Sequence, residues 1–287
     1  MKILLFGHKG MLGSDLLLRL RTKHEVTGLD KDEIDIASMP SCEEAIRENA
    51  PDVVVNAAAC TDVDGCESAQ SESFAVNAEA VLNIAASCRK KNIRLVHFST
   101  DYVFDGESRE PYKEDHPCNP INVYGTSKLA GENYLRSISD NYILIRTAWL
   151  YGKKGKNFVQ TILDKAATTD KLEVVDDQIG SPTYTRDLAY AVDLLLERDI
   201  KGIFHITNRG SCSWFEFTRK ILQEAGIRDV QVLPIKSDQL MRPAKRPAYS
   251  VLSMQKFTSA TGKIMQPWQL ALQDYLHDIR YQAAPKG

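Results

Sequence analysis

The sequence predicts an α/β fold in which a doubly wound parallel sheet is followed by a smaller α/β lobe. Short, almost wholly apolar segments such as residues 3–6 and 53–55 alternate with amphipathic segments of helical length. Strands that are covered by helices on both faces need such apolar segments. A glycine-rich turn joins the first of these strands to the first helix. Together these features favour a parallel sheet with helices on both sides.

The first half of the chain alternates regularly between predicted strands and predicted helices. The strands are expected at residues 2–6, 25–29, 52–58, 94–100 and 142–152. The helices are expected directly after the glycines and at residues 41–49, 73–92 and 124–138. Residues 1–150 are therefore expected to form the core domain.

After Gly152 the alternation weakens. Beyond a basic loop, helices are expected from about residue 157, from about residue 185, and at residues 213–226 and 267–280. Strands are expected at residues 173–177, 202–208 and 230–235. Residues 151–287 are predicted to build mainly a smaller lobe that caps the carboxyl edge of the sheet, while some of these segments return to the core.

Composition and charge argue against several classes of function. The 36 basic and 38 acidic residues give a formal net charge of −2 without runs of like charge, so neither nucleic acid nor a membrane surface is an expected partner. No segment is apolar over the roughly 18 residues that a membrane span needs, so we expect a soluble, cytoplasmic protein. The six cysteines form no C-x-x-C pair and do not cluster with the histidines, so reduced thiols are expected, without a disulfide framework or metal site.

Gly7, Gly10 and Gly13 form a G-x-x-G-x-x-G turn around the expected start of a helix near Met11. Glycines in such a turn let the backbone approach a pyrophosphate, whose charge is stabilised by the helix N-terminus. We therefore predict a dinucleotide site. A glycine-rich turn without any ligand would give the same spacing.

Two carboxylates after the second strand are candidates for the adenosine end of that dinucleotide. Asp30 can accept hydrogen bonds from a ribose. Its charge would repel a 2′-phosphate, whereas Lys31 would compensate, so NADH and NADPH both stay open. Asp35, followed by Ile36, stands where a carboxylate can meet an adenine amino group, and a helix N-cap is the alternative role for Asp35.

Tyr124 and Lys128 lie four residues apart at the start of a predicted helix, so they share one helix face. A lysine ammonium beside a phenol favours the ionised phenol, which would lower the pKa of Tyr124 and suit it to proton transfer near neutral pH. An ordinary surface tyrosine and lysine would show the same spacing. Thr100 ends an apolar strand, where its hydroxyl either hydrogen-bonds a substrate carbonyl or caps the next turn.

These motifs, in this order, resemble the extended short-chain dehydrogenases, which have a Rossmann-type sheet. The resemblance rests on the glycine turn, on N-A-A-A at residues 56–59, on S-T-D-Y-V-F at 99–104 and on Y-G-x-S-K at 124–128. Over nearly its whole length the chain is similar, more narrowly, to the dTDP-4-dehydrorhamnose reductase family. The motifs D-D-Q-I-G-S-P-T at 176–183 and R-P-A-Y-S-V-L-S at 246–253 carry this narrower resemblance.

The resemblance implies hydride transfer from NADPH or NADH to C4 of a dTDP-linked 4-keto-6-deoxy sugar, the last step of dTDP-L-rhamnose synthesis. Tyr124 would protonate the alkoxide, Lys128 would hold the nicotinamide ribose and lower the tyrosine pKa, and Thr100 would steady the carbonyl. The implied cofactor contacts are Gly7, Gly10, Met11, Leu12, Gly13, Asp30, Asp35, Ile36, Ala57, Ala58, Ala59, Tyr124 and Lys128. The implied substrate contacts are Thr100, Asp101, Tyr102, Phe104, Trp149, Arg246 and Ser250.

Two of these substrate contacts have a second interpretation from the residues themselves. Trp149 follows a strand at its carboxyl end, where an indole lines a sugar pocket or belongs to the core. Arg246 is suited to a bidentate bridge to the diphosphate, and a solvated surface arginine is the alternative.

Some members of the family are linked with a magnesium ion held by acidic side chains at a dimer interface. Asp15 stands at one such position, but residues 184–188 supply no secure second carboxylate. The sequence therefore does not support a magnesium site, and a homodimer is left open.

Three rival functions use the same fold. A nucleotide-sugar 4,6-dehydratase needs a carboxylate at the position of Tyr102, which argues against it. A 4-epimerase uses the same tyrosine and lysine but consumes no reduced cofactor. A non-catalytic regulatory subunit, like the beta subunit of methionine adenosyltransferase, keeps the fold without turnover.

Overall fold

The computed structural model describes residues 1–279 and has a main sheet of six parallel strands in the order β2-β1-β3-β4-β5-β10. The strands are β1 (Lys2–Phe6), β2 (Glu25–Leu29), β3 (Val53–Asn56), β4 (Arg94–Thr100), β5 (Tyr142–Thr147), β6 (Leu150–Tyr151), β7 (Lys171–Val175), β8 (Ile179–Gly180), β9 (Thr183–Tyr184), β10 (Gly202–His205), β11 (Cys212–Ser213) and β12 (Gln231–Ile235). The predicted α/β class with a doubly wound parallel sheet is confirmed.

Helices cover both faces of this sheet. They are α1 (Met11–Leu20), α2 (Met39–Asn49), α3 (Val63–Ser68), α4 (Gln70–Phe74), α5 (Ala80–Lys90), α6 (Val123–Ile138), α7 (Phe158–Ala166), α8 (Thr185–Leu196), α9 (Trp214–Glu224), α10 (Gln255–Thr261) and α11 (Trp268–Asp278). In β1, Ile3 and Leu5 face one apolar core, which includes α1 and α8, while Leu4 and Phe6 face the other, which includes α2 and α5. This alternation explains why the strand is apolar at every position.

The chain reverses its direction of winding between β1 and β3. From β1 it passes to β2 on one side, and it then returns to β3 on the other side. Loops that leave two neighbouring parallel strands in opposite directions open a crevice at the strands' carboxyl ends, where ligands of such sheets bind. The glycine turn after β1 and the alanines after β3 both lie at this crevice.

A separate apolar core holds the second half of the chain together. It contains side chains of α7, α9 and α11 packed on β7, with Phe217 and Trp268 among the largest. Three elements beyond residue 151 pack elsewhere, because α8 lies against α1, β10 extends the main sheet beside β5, and α10 packs on β10. Within the described residues, no helix has the length and apolar character needed to cross a membrane.

Several predicted elements begin or end at other residues than the observed ones. The helix expected at 73–92 is interrupted by a π-helical turn, Ala75–Glu79, between α4 and α5. The strand expected at 142–152 breaks after Thr147, because Trp149 adopts a left-handed backbone conformation with φ of 48°. The helix expected at 267–280 begins at Trp268 and ends at Asp278, and Arg280 lies outside the described residues.

A buried ion pair fixes α6 to the sheet. The Arg146 guanidinium of β5 donates to the Glu132 carboxylate of α6, with an Nη2 to Oε2 distance of 2.7 Å, and both side chains are at most 2% exposed. The same guanidinium also donates to the Glu114 carbonyl and the Cys118 thiol of the loop that precedes α6. Because each charge is costly to bury alone, the pair holds these three segments in one arrangement.

Arg146→Met is expected to lower the free energy of unfolding by about 3–5 kcal/mol, because it leaves the Glu132 carboxylate buried without its partner. Adding Glu132→Leu should restore much of that loss, since the unpaired charge is then gone. Urea unfolding followed by tryptophan fluorescence measures both changes. A single variant as stable as the unchanged chain would show that the ion pair does not hold α6 in place.

Candidate active site

The glycine turn makes a tight backbone cradle at the crevice. Gly7 has φ of 79°, and a Cβ on it would lie 2.7 Å from the Ala58 nitrogen. A Cβ on Gly13 would lie 1.9 Å from the Gly7 carbonyl oxygen, so α1 packs directly on the turn. Because the turn carries no side chains at these positions, the N-terminus of α1 can approach a bound phosphate closely. A dinucleotide pyrophosphate requires such an approach.

A cleft of about 450 Å³ opens beside this cradle. Of the residues predicted to contact a dinucleotide, its walls include Gly7, Gly10, Asp30, Asp35, Ile36, Ala57, Ala58 and Ala59. They also include Lys31, Cys60 and Val76, none of which was among the predicted contacts. The predicted contacts Leu12 and Gly13 are buried, and Met11 packs near Gly152. The cleft's place and lining fit the adenosine half of a dinucleotide.

Asp30 shapes the cleft as well as lining it. Its carboxylate accepts hydrogen bonds from the backbone amides of Lys9, at 2.8 Å, and Lys31, at 2.9 Å. The Lys9 ammonium is paired with Asp32 and Glu33. Asp30 therefore holds the glycine turn against the end of β2 and still offers carboxylate lone pairs toward a ribose.

Asp35 does not cap α2. Its carboxylate accepts from the Ala37 amide at 3.0 Å, whereas the Ser38 side chain caps the helix by accepting from Ser41. The N-cap alternative for Asp35 is therefore wrong. The residue keeps its place on the cleft wall, where a carboxylate can meet an adenine.

Tyr124 and Lys128 share one face of α6 at the carboxyl end of β4. The Lys128 ammonium donates to the Phe98 carbonyl oxygen at 2.6 Å and is 2% exposed. Burial lowers the pKa of Lys128 to about 8, and the nearby Glu132 carboxylate opposes that shift. Lys128 is thus mostly charged at neutral pH but within reach of deprotonation.

The pKa of Tyr124 moves opposite to the prediction. Burial raises it above the usual value, and only hydrogen bonding with Thr100 works in the other direction among its near neighbours. The expectation of a lowered pKa is therefore wrong for the free chain, in which burial is the largest influence and the Lys128 ammonium donates to the Phe98 carbonyl. Tyr124 therefore stays protonated at neutral pH, in the form that donates a proton.

Thr100 lies between the phenol and a buried carboxylate. Its hydroxyl donates to Asp101 Oδ1 at 3.1 Å and accepts from the Tyr102 amide at 3.1 Å. Burial raises the pKa of Asp101 to about 6, while hydrogen bonds with Ser250 and Thr100 oppose the rise. Three predicted substrate contacts therefore lie together next to Tyr124, namely Thr100, Asp101 and Ser250. The ring of Tyr102 packs edge-on against the ring of Tyr124.

Asn77 was not among the predicted site residues. From the π-helical turn its side chain accepts from the Cys60 amide at 2.9 Å and donates to the Cys60 carbonyl and Ser127 hydroxyl, both at 3.0 Å. Ser127 in turn donates to the Tyr124 carbonyl. Asn77 thus ties the cleft wall to the first turn of α6. A helical sequence pattern alone does not reveal such a turn.

Phe104 is not placed to contact a substrate. Its ring is fully buried and stacks on Tyr112, with 4.2 Å between ring centroids. The prediction of a substrate contact is therefore wrong for this side chain, which packs the loop that follows β4 instead. Trp149 remains half-buried, and its indole stacks on Trp214 with 3.4 Å between centroids.

Arg246 is bound within the protein. Its guanidinium makes a bidentate ion pair with Asp64 of α3, with N to O distances of 2.6 and 2.7 Å. The expectation of a solvated arginine is wrong, and a bridge to a diphosphate requires Arg246 to share or leave this partner. The pair also connects α3 to the segment that precedes Tyr249, the residue that forms a β-bridge with Ile179.

Acidic side chains near Asp15 do not gather into a metal site. Asp15 is buried and accepts a hydrogen bond from Thr185 at 2.5 Å. Across residues 1–279 there is no group of three or more histidine, cysteine, aspartate or glutamate side chains suited to hold a metal ion.

Comparisons with known proteins agree over almost the whole chain. A family model described as the RmlD substrate binding domain matches residues 1–281. The spore coat polysaccharide biosynthesis protein SpsK of Bacillus subtilis (strain 168) is 40% identical over 278 residues, covering 96% of this chain and 97% of that protein. A crystal structure of a dTDP-4-dehydrorhamnose reductase from Clostridium acetobutylicum has a TM-score of 0.94 at 40% identity, covering 98% of this chain and 100% of that one. The dTDP-4-dehydrorhamnose reductase of Bacillus anthracis in complex with NADP has a TM-score of 0.94 at 35% identity, covering 96% and 99%.

Gly7→Ala is expected to weaken NADPH binding by about tenfold or more, because its Cβ would push the turn away from the Ala57–Ala58 backbone. Gly226→Ala is the matched control, since Gly226 also has a positive φ but no atom within 4 Å of its would-be Cβ. The control should lose about 1–2 kcal/mol of stability and no cofactor affinity. NADPH fluorescence titration tests this, and equal affinity in Gly7→Ala would contradict the cradle.

Proposed function

The chain belongs to the dTDP-4-dehydrorhamnose reductase family, and we propose that it reduces the C4 keto group of dTDP-4-dehydro-6-deoxy-L-mannose with NADPH or NADH, giving dTDP-L-rhamnose. The observation that carries this proposal is the meeting of Thr100, Tyr124 and Lys128 at the carboxyl end of β4, next to the dinucleotide cleft. A proton donor, a hydroxyl and a cation at that edge are what reduction of a ketone requires.

Each of the three residues has a distinct task. The reduced nicotinamide, when bound, supplies a hydride to the keto carbon. Thr100 and Tyr124 hydrogen-bond the keto oxygen, and the Tyr124 phenol passes its proton to that oxygen as negative charge develops. The buried Lys128 ammonium stabilises the phenolate left behind, and its pKa of about 8 suits it to return a proton.

The protonated state of Tyr124 in the free chain supports reduction as the working direction. A phenol whose pKa is raised by burial keeps its proton until an alkoxide forms nearby. In the free chain the Thr100 hydroxyl donates its only proton to Asp101, so it must turn toward the keto oxygen before it can donate there. Tyr124 is therefore the donor that is ready before the substrate arrives.

The rival functions make different demands on the same site. An epimerase would interconvert sugars with no net consumption of reduced cofactor, and a regulatory subunit would bind the dinucleotide without turnover. Tyr102 stands where a dehydratase needs a carboxylate, and it packs against the Tyr124 ring instead. The cytoplasmic location stays a prediction, and the homodimer and the magnesium ion stay open.

Tyr124→Phe should lower kcat by about two to four orders of magnitude and leave NADPH affinity nearly unchanged, because it removes a proton donor and little binding surface. The assay is loss of reduced-nicotinamide absorbance with dTDP-4-dehydro-L-rhamnose generated in place. Tyr134→Phe, at an exposed position of the same helix, is the matched control and should behave like the unchanged chain. Near-normal turnover of Tyr124→Phe would refute its role as the acid.

Asp30→Ala should weaken NADH binding more than NADPH binding, because the carboxylate that accepts from a ribose hydroxyl repels a 2′-phosphate at the same position. Asp32→Ala is the control, since Asp32 is exposed and pairs with Lys9. The measurement is the dissociation constant of each variant for NADH and for NADPH. Equal weakening of both would mean that another group recognises the ribose.

A further inference from the structure

Two thiols lie in contact beside the candidate active site. Cys60 Sγ and Cys66 Sγ are 3.8 Å apart, although all six cysteines of the chain are free. A disulfide needs the sulfur atoms at about 2.05 Å, so closing a bond here requires a shift of only about 1.8 Å. Five residues lie between the two cysteines along the chain, so they form no C-x-x-C motif.

Each thiol belongs to a different wall of the site. Cys60 directly follows Ala59 on the cleft wall, and Asn77 holds both its amide and its carbonyl. Cys66 is in α3, whose Asp64 binds Arg246 and whose Glu67 accepts from the Val123 amide at the start of α6. A bond between the two sulfurs therefore pulls the cofactor wall toward α3. This helix contacts both Arg246 and the start of α6, the helix that carries Tyr124.

The two thiols differ in access. Cys60 is half-exposed at the cleft, whereas Cys66 is fully buried, and burial raises the pKa of its thiol. Only Cys60 is open to a reagent from solvent. Cys66 is then the one group placed to attack a modified Cys60 from inside.

We propose that Cys60 and Cys66 form a redox-active dithiol, which a low-molecular-weight disulfide oxidises to an intramolecular disulfide that disables the site. The Cys60 thiolate attacks one sulfur of the reagent, which forms a mixed disulfide and releases one thiol. The Cys66 thiolate then attacks Cys60 Sγ and expels the second thiol. The two cysteines are oxidised, the reagent is reduced to two thiols, and the two cysteine protons pass to those thiols.

Oxidised glutathione is the probe, applied to the full chain with and without saturating NADPH. Peptide mapping by mass spectrometry should find a Cys60–Cys66 crosslink and a loss of two hydrogens, formed more slowly when NADPH covers the cleft. Turnover should fall about 100-fold, as a shift of an ångström or more in a reacting geometry can produce. Dithiothreitol should restore it.

Cys66→Ala should keep its basal turnover and, under the same treatment, accumulate only the glutathione adduct at Cys60. Cys118→Ser is the matched control, because Cys118 is also half-exposed but its thiol contacts Arg146 instead of another cysteine. This control should crosslink and lose activity like the unchanged chain.

A lasting glutathione adduct at Cys60 with a free Cys66 in the unchanged chain would overturn the proposal. So would a crosslink that alters neither turnover nor NADPH affinity. The crosslink and the NADPH affinity need no catalysis, so a failure of the proposed reductase reaction would not be mistaken for a failure of the dithiol.

Discussion

The position of α6 on the sheet determines the geometry of the whole site. Lys128 and Glu132, one turn apart on this helix, are both buried and both bound to the sheet, Lys128 through the Phe98 carbonyl and Glu132 through Arg146. Buried charges are tolerated only where their partners are in place, so the helix has one stable position on β4 and β5. Tyr124, one turn before Lys128, is thereby held above the strand end at Thr100. The proton donor therefore owes its position to the buried Arg146–Glu132 pair as well as to Lys128.

Paired charges also control the substrate side of the crevice. Arg246 is held by Asp64, and Glu67 of the same helix α3 accepts from the first turn of α6. Helix α3 thus joins the segment that contains Arg246, helix α6 and, through the Cys60–Cys66 contact, the wall of the cleft beside the glycine turn. A diphosphate that competes for Arg246 would act on all three at once. We therefore expect changes in this small helix to affect the binding of both ligands.

Local patterns in the sequence predicted what depends on local geometry. The glycine turn, Asp30 and the alanines at 57–59 were predictable because each follows a recognisable strand, and strand ends meet at one edge. The predicted substrate contact of Phe104 was wrong because a motif that follows a strand does not show which of its side chains are buried. The partner of Arg246 lies 182 residues away, and Asn77 acts from a π-helical turn inside an ordinary helical pattern. Burial raises the pKa of Tyr124, whereas the sequence predicted a lowered pKa. The effect of burial depends on the packing around the side chain, which the spacing of two residues in the sequence does not reveal.

The proposed reaction transfers a hydride from a nicotinamide bound in the cleft to C4 of a nucleotide-linked keto sugar. The most direct test uses NADPH with deuterium at both C4 positions of its nicotinamide, together with dTDP-4-dehydro-L-rhamnose, and locates the label in the sugar by mass spectrometry and NMR. We expect one deuterium at C4 of the product sugar for each NADP⁺ formed. Sugar conversion without deuterium at C4, or without consumption of NADPH, would contradict it.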